Sequence, residues 1–133
     1  MDKLIIPVDI SMKVLYHVNE KFPEESCGLL AGFDNKVTIE LPITNQLHSP
    51  IKYFMDPMEL FKALEKIETL KLDLLGIFHS HPKGPPNPSE TDIKEFLYPG
   101  VATIICYPES NEWKMKAFLI ENGCYTEIEL VMF

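Results

Sequence analysis

Apolar residues recur along the chain at two spacings, every fourth and every second position, with a few unbroken runs between. Ile10, Val14, Val18 and Phe22 repeat at four-residue intervals with Leu15 alongside, which is one face of a helix. Asp9 or Ser11 is placed to cap that helix, and Pro23 to end it. Leu4 to Val8 ahead of it reads as a short strand. Cys27 to Phe33 and Val37 to Ile43 are strand-length apolar segments around Asp34-Asn35, a turn signal, so they predict a hairpin. Asp56-Pro57-Met58-Glu59 is a helix start, with Asp as N-cap, Pro in the first turn and Glu three residues on. The stripe Leu60, Phe61, Leu64, Ile67 carries that helix to about Lys71, and Tyr53 to Met55 before it forms a possible short strand.

Leu72 to Phe78 has the length and apolarity of a buried central strand. Ser80 to Pro88 holds prolines at 82, 85, 86 and 88, so it is a stiff loop. Ser89 opens a short helix running to about Leu97. Val101 to Tyr107 is a further buried strand. Trp113 to Ile120 and Cys124 to Val131 form a second hairpin around Asn122-Gly123. The expected fold class is α/β: one mixed sheet flanked by helices. No linker, repeat or low-complexity stretch interrupts the order, so one domain is expected over residues 1–133.

Composition narrows the function classes. The net charge is −8 and there is no arginine, which argues against a nucleic-acid partner. The longest apolar runs are strand-sized, so no membrane span is expected. Cys27, Cys106 and Cys124 form no close pair. That is not a disulfide framework, although a single disulfide stays open, and it fits a reducing compartment. With no signal-peptide pattern at the N-terminus, the expected location is the cytoplasm.

The chemistry concentrates in residues 76 to 92. On a strand, residues i and i+2 share a face, so His79 and His81 can aim two imidazoles at one point while Ser80 faces away. Asp92 follows His81 by eleven residues, across the stiff loop. It doubles as the acid of a capping-box-like Ser89-x-x-Asp92, which by itself is a sufficient reason for its presence. Two His and one Asp make three protein ligands, and that count leaves a fourth zinc position open, as in a catalytic rather than a structural site. Glu24 and Glu25 stand at the mouth of the Cys27 strand; taken alone, they read as solvated loop charge.

His79-x-His81-Pro82, six residues, Ser89-x-x-Asp92 resembles the signature of the JAMM (MPN-plus) metalloprotease family. Glu25-Ser26-Cys27-Gly28-Leu29-Leu30-x-Gly32 is similar to that family's glutamate segment. The resemblance spans residues 5 to about 110. It implies one MPN domain with a layered architecture like that of the cytidine deaminases. It implies that His79, His81 and Asp92 ligate one zinc ion. Glu25 would hold and deprotonate the metal-bound water, and Ser89 would hydrogen-bond near it or stabilise the oxyanion. Glu25 is preferred over Glu24 because the matching pattern is Glu-x-Cys-Gly; His17 and His48 match nothing in it.

The implied activity is hydrolysis of the isopeptide or peptide bond after the C-terminal tail of a ubiquitin-like or sulfur-carrier protein, the partner that the resemblance supplies. The chain has little room for the insertions that read ubiquitin linkage in larger members, so a small prokaryotic-type enzyme is expected. Two other readings are weighed. A non-catalytic, metal-stabilised MPN scaffold needs no base beside the metal, so Glu25 discriminates against it. A zinc deaminase needs His-x-Glu and Pro-Cys-x-x-Cys, and neither is present. The oligomeric state and the identity of the substrate are not set by the sequence.

Overall fold

Seven strands and three helices follow the order β1 (Lys3–Ile6), α1 (Val8–Lys21), β2 (Cys27–Phe33), β3 (Lys36–Ile43), α2 (Pro57–Thr69), β4 (Asp73–Ser80), α3 (Glu90–Lys94), β5 (Ala102–Glu109), β6 (Glu112–Glu121) and β7 (Cys124–Met132). A computed structural model describes residues 1–133. The strands line up as β1-β3-β2-β4-β5-β6-β7, and β1 also pairs with β7, so the sheet closes on itself. It is mixed: β1–β7, β1–β3 and β4–β5 are parallel and the other neighbours antiparallel.

Closure corrects the expectation of a sheet simply flanked by helices. All seven strands send residues into one core, among them Leu4, Leu30, Val37, Phe78, Ile104, Ala117 and Ile128, and α1 adds Ile10, Val14 and Val18. The sheet therefore curls around α1. Helix α2 lies on the opposite face, where Ala63 and Ile67 pack against Leu29, Ala31, Ile43 and Ile77. Neighbouring residues feed opposite faces, Leu29 against Leu30 and Ile77 against Phe78, as strand alternation requires. Burying each large side chain contributes roughly 1.5–3 kcal/mol, so both faces hold β2 and β4 in place.

Gly28 lets those two central strands meet. A Cβ there would lie 2.4 Å from the Phe78 ring and 2.7 Å from the Leu41 carbonyl oxygen. Removing it would push Phe78, and with it the strand that ends in His79.

Local boundaries differ in several places. Helix α1 starts at Val8 behind Pro7 and has no side-chain cap. Ser11 instead lies inside the helix, its hydroxyl donating to the Val8 carbonyl at 2.7 Å. Tyr53 to Met55 forms only a single bridge, Asn45 to Met55. The helix from Ser89 ends at Lys94 rather than Leu97. Strand β4 runs on to Ser80, so His79 lies within it. The Asp56 cap is present as read, its carboxylate accepting from the Met58 and Glu59 amides.

Candidate metal centre

The site forms where the ends of β2 and β4 separate. Cys27 pairs with His79. One step further, the Ser80 N–H donates to the Ser26 carbonyl at 3.0 Å. Beyond that rung the chains diverge: the Glu25 N–H turns to the Ser49 carbonyl, and the His81 N–H to the Cys106 carbonyl on β5, each at 2.8 Å. The Ser80 hydroxyl points the other way, to Ser26. His79 and His81 thus share a face although His81 lies one residue beyond the strand.

After the proline loop, Ser89 caps α3. Its hydroxyl accepts from the Asp92 N–H at 3.0 Å, and its own N–H donates to Asp92 Oδ2 at 2.9 Å. The same Oδ2 lies 3.1 Å from His79 Nε2 and 3.1 Å from His81 Nε2, and the two Nε2 atoms are 3.1 Å apart. Asp92 therefore serves the capping box and meets the histidines with a single oxygen.

These three atoms fit a metal of the zinc type. Ligand atoms around a tetrahedral centre at about 2.0–2.1 Å stand about 3.3–3.4 Å apart, close to the triangle found here. Protons point the same way. His81 Nδ1 donates to the Pro85 carbonyl at 2.8 Å, so a neutral His81 presents a bare lone pair at Nε2. That lone pair faces the carboxylate, and only an added proton or a cation makes the contact favourable. Burial opposes a charge on His81, but the Asp92 hydrogen bond and charge prevail and raise its pKa. Burial would likewise raise Asp92, but the bonds from His79 and His81 hold it well below the carboxylate range. His79 is fully buried, and burial lowers its pKa.

Glu25 and Glu24 differ sharply. Glu25 is 5% exposed, and burial pushes its carboxyl up to about 7; the nearby His81 charge opposes this and the Asp92 charge adds to it. Glu24 faces outward and meets His48 at 3.0 Å on the surface. Glu25, His79, Ser89 and Asp92 line one cavity of about 520 Å³, whose walls are largely apolar. His17 sits edge-on to Phe78, away from this cavity, with its Nε2 buried and unpartnered.

A model of the prokaryotic homologs of the JAB domain matches residues 7–119. The chain belongs to this JAB-domain family. Among similar proteins, a probable TtuB-protein conjugate cleaving protease of Thermus thermophilus is 42% identical over 130 residues, covering 97% of this chain and 82% of that protein. A desampylase of Pyrococcus furiosus is 37% identical over 130 residues, covering 97% and 90%. The solution structure of protein DSY2949 from Desulfitobacterium hafniense superposes with a TM-score of 0.87 at 29% identity, covering 98% of this chain and 92% of that one.

Three further residues of this JAB chain belong to the site's surroundings and carry no sequence signal strong enough to single them out. Tyr53 stacks on the His79 ring, with centroids 4.7 Å apart and planes 29° off parallel. That contact matters because His79 Nδ1 is buried without a hydrogen-bond partner. Ser80 and Asn45 anchor the main chain around Glu25. A buried asparagine in a loop looks, in sequence, like any turn residue.

Proposed function

We propose that this chain is a zinc-dependent hydrolase that cleaves the isopeptide or peptide bond after the C-terminal tail of a ubiquitin-like or sulfur-carrier protein. The observation that carries this reading is the convergence of His79 Nε2, His81 Nε2 and Asp92 Oδ2 at 3.1 Å, with the buried Glu25 on the same cavity. Relatives named for desampylation and for cleaving TtuB-protein conjugates support the substrate class. The chain acts as one catalytic domain in the cytoplasm. Three free cysteines support that location, and no helix is long and apolar enough to cross a membrane.

In this reading His79, His81 and Asp92 hold one zinc ion. Zinc supplies Lewis-acid chemistry, acidifying water and polarising an amide carbonyl. The chain's own residues handle the rest. Glu25 takes a proton from water and returns it to the leaving amine. Its carboxylate lines the same cavity as the ligand triangle, which is the placement a general base and acid needs. Ser89 accepts the Asp92 amide hydrogen with its oxygen, which leaves the hydroxyl free to donate a hydrogen bond to a developing oxyanion. The apolar walls of the cavity exclude water from an extended tail. A non-catalytic scaffold would have no use for a buried carboxylate in this place.

The test uses the ubiquitin-like proteins of the same organism, each carrying a C-terminal extension or a lysine conjugate. Zinc-loaded protein should release the free C-terminal tail, seen as a mass change, and a chelator should stop it. Intact substrates after prolonged incubation with zinc-loaded protein would refute the reading.

A further inference from the structure

We infer that Asn45 is a positioning residue that couples the wall of the cleavage cavity to the main chain of Glu25. Asn45 closes the loop between β3 and α2 and is only 5% exposed. Its Nδ2 donates to the Glu25 carbonyl at 3.0 Å and the Lys52 carbonyl at 3.0 Å. Its Oδ1 accepts from the Leu47 N–H at 3.0 Å and the Phe54 N–H at 3.1 Å. Three carbonyls face the nitrogen, the third being that of Ser49 at 3.5 Å, and two N–H groups face the oxygen, so the orientation of the amide is fixed by its partners.

One carboxamide thus holds both flanks of the loop and the residue that carries the proposed base. The loop returns the favour, since the Ser49 carbonyl accepts the Glu25 N–H at 2.8 Å. Both main-chain polar groups of Glu25 are therefore held by residues 45–49 and none by β4. The far side of the same loop brings Tyr53 onto His79 and sets Phe54 and Met55 in the cavity wall. A displacement of the loop moves Glu25 and the wall together. The ligands His79, His81 and Asp92 lie on β4, just past it and on α3, so they do not depend on Asn45 for their main-chain bonds. The role is distinct from metal binding: Asn45 touches no ligand and acts through Glu25 and the loop.

This inference rests on the hydrolase reading for its kinetic part and on hydrogen exchange for the rest. Asn45→Ala is compared with wild type for zinc affinity, for kcat and KM on a ubiquitin-like conjugate, and for amide exchange. The expected result is zinc affinity within about threefold of wild type and kcat/KM lower by on the order of 100-fold, the scale of a misplaced reacting group. Both kcat and KM should change, because base and wall move together. Kinetics within threefold in a folded variant would overturn the inference. So would a zinc affinity that falls by the same factor as kcat/KM, because Asn45 would then act through the metal site. If the variant does not fold, exchange in the wild-type protein decides. The amides of Glu25, Leu47 and Phe54 should open as one unit with a common protection; Leu47 and Phe54 exchanging tenfold faster than Glu25 would separate loop from base and overturn it. A wild-type protein that cleaves no conjugate refutes the hydrolase reading, while the exchange result still judges Asn45.

Discussion

The Ser80 hydroxyl oxygen accepts the Ser26 amide hydrogen at 2.8 Å, where the β2–β4 ladder would otherwise use the Ser80 carbonyl. The reciprocal bond, from the Ser80 N–H to the Ser26 carbonyl, is present at 3.0 Å. One side chain therefore ends the ladder, and the strands separate directly after it. Both serines are fully buried, and their hydroxyls also meet at 3.2 Å.

Ser80→Ala leaves the Ser26 N–H buried without its acceptor. Such a loss costs about 1–3 kcal/mol, read as a lower urea midpoint with an unchanged slope. Unchanged stability would mean that the ladder simply re-forms onto the carbonyl of residue 80. In that case the hydroxyl does not set where the strands part.

A pH dependence of stability follows from Glu25 in the metal-free chain. Its folded pKa is raised from 4.5 to about 7. The folded state thus binds this proton more tightly than the unfolded state. The favourable contribution is complete below pH 4.5 and is lost as the pH rises towards 7. Above that range an ionised, buried carboxylate opposes folding. Glu25→Gln should therefore raise the melting temperature of the metal-free protein at pH 8 and leave it nearly unchanged at pH 4.5. A melting temperature raised equally at both values would mean that Glu25 is not charged in the folded chain at pH 8.

Zinc should stabilise the folded chain, because the ligand triangle exists only there. Free zinc at a hundred times its Kd adds about 2.7 kcal/mol by mass action, and a chelator removes it. Asp92→Asn keeps an oxygen for the Ser89 N–H but replaces a charged ligand with a neutral amide. Its melting temperature should barely respond to zinc. A zinc-induced rise as large as that of wild type would place the metal elsewhere.

The parts of this site that are visible in the sequence obey local rules. His79 and His81 share a face because strands alternate, and Ser89 and Asp92 meet because a capping box brings positions three apart together. Glu25 is preferred over Glu24 only through the resemblance of Glu-x-Cys-Gly to a family pattern; in the structure Glu25 lines the cavity and Glu24 meets His48. What stayed hidden depends on long-range pairing. Nothing near Lys3–Ile6 announces that β1 will pair with β7 at the other end of the chain. Likewise Asn45 and Tyr53 gain their partners only when the loop folds over β2 and β4. The N-terminus of α1 belongs with these: Pro7 fixes the backbone entry, and the Val8 N–H donates to the Phe133 carbonyl at 2.7 Å, a partner from the other end of the chain in place of a side-chain cap.

The central claim is that His79, His81 and Asp92 hold one zinc ion while Glu25 alone moves the proton. Its most direct test is Glu25→Gln, measured for zinc content and for cleavage of a ubiquitin-like conjugate on the same sample. The account predicts one zinc per chain, as in wild type, with kcat reduced by about 10²–10⁴-fold, the range that general acid–base catalysis supplies. Full zinc occupancy with cleavage at the wild-type rate would contradict it.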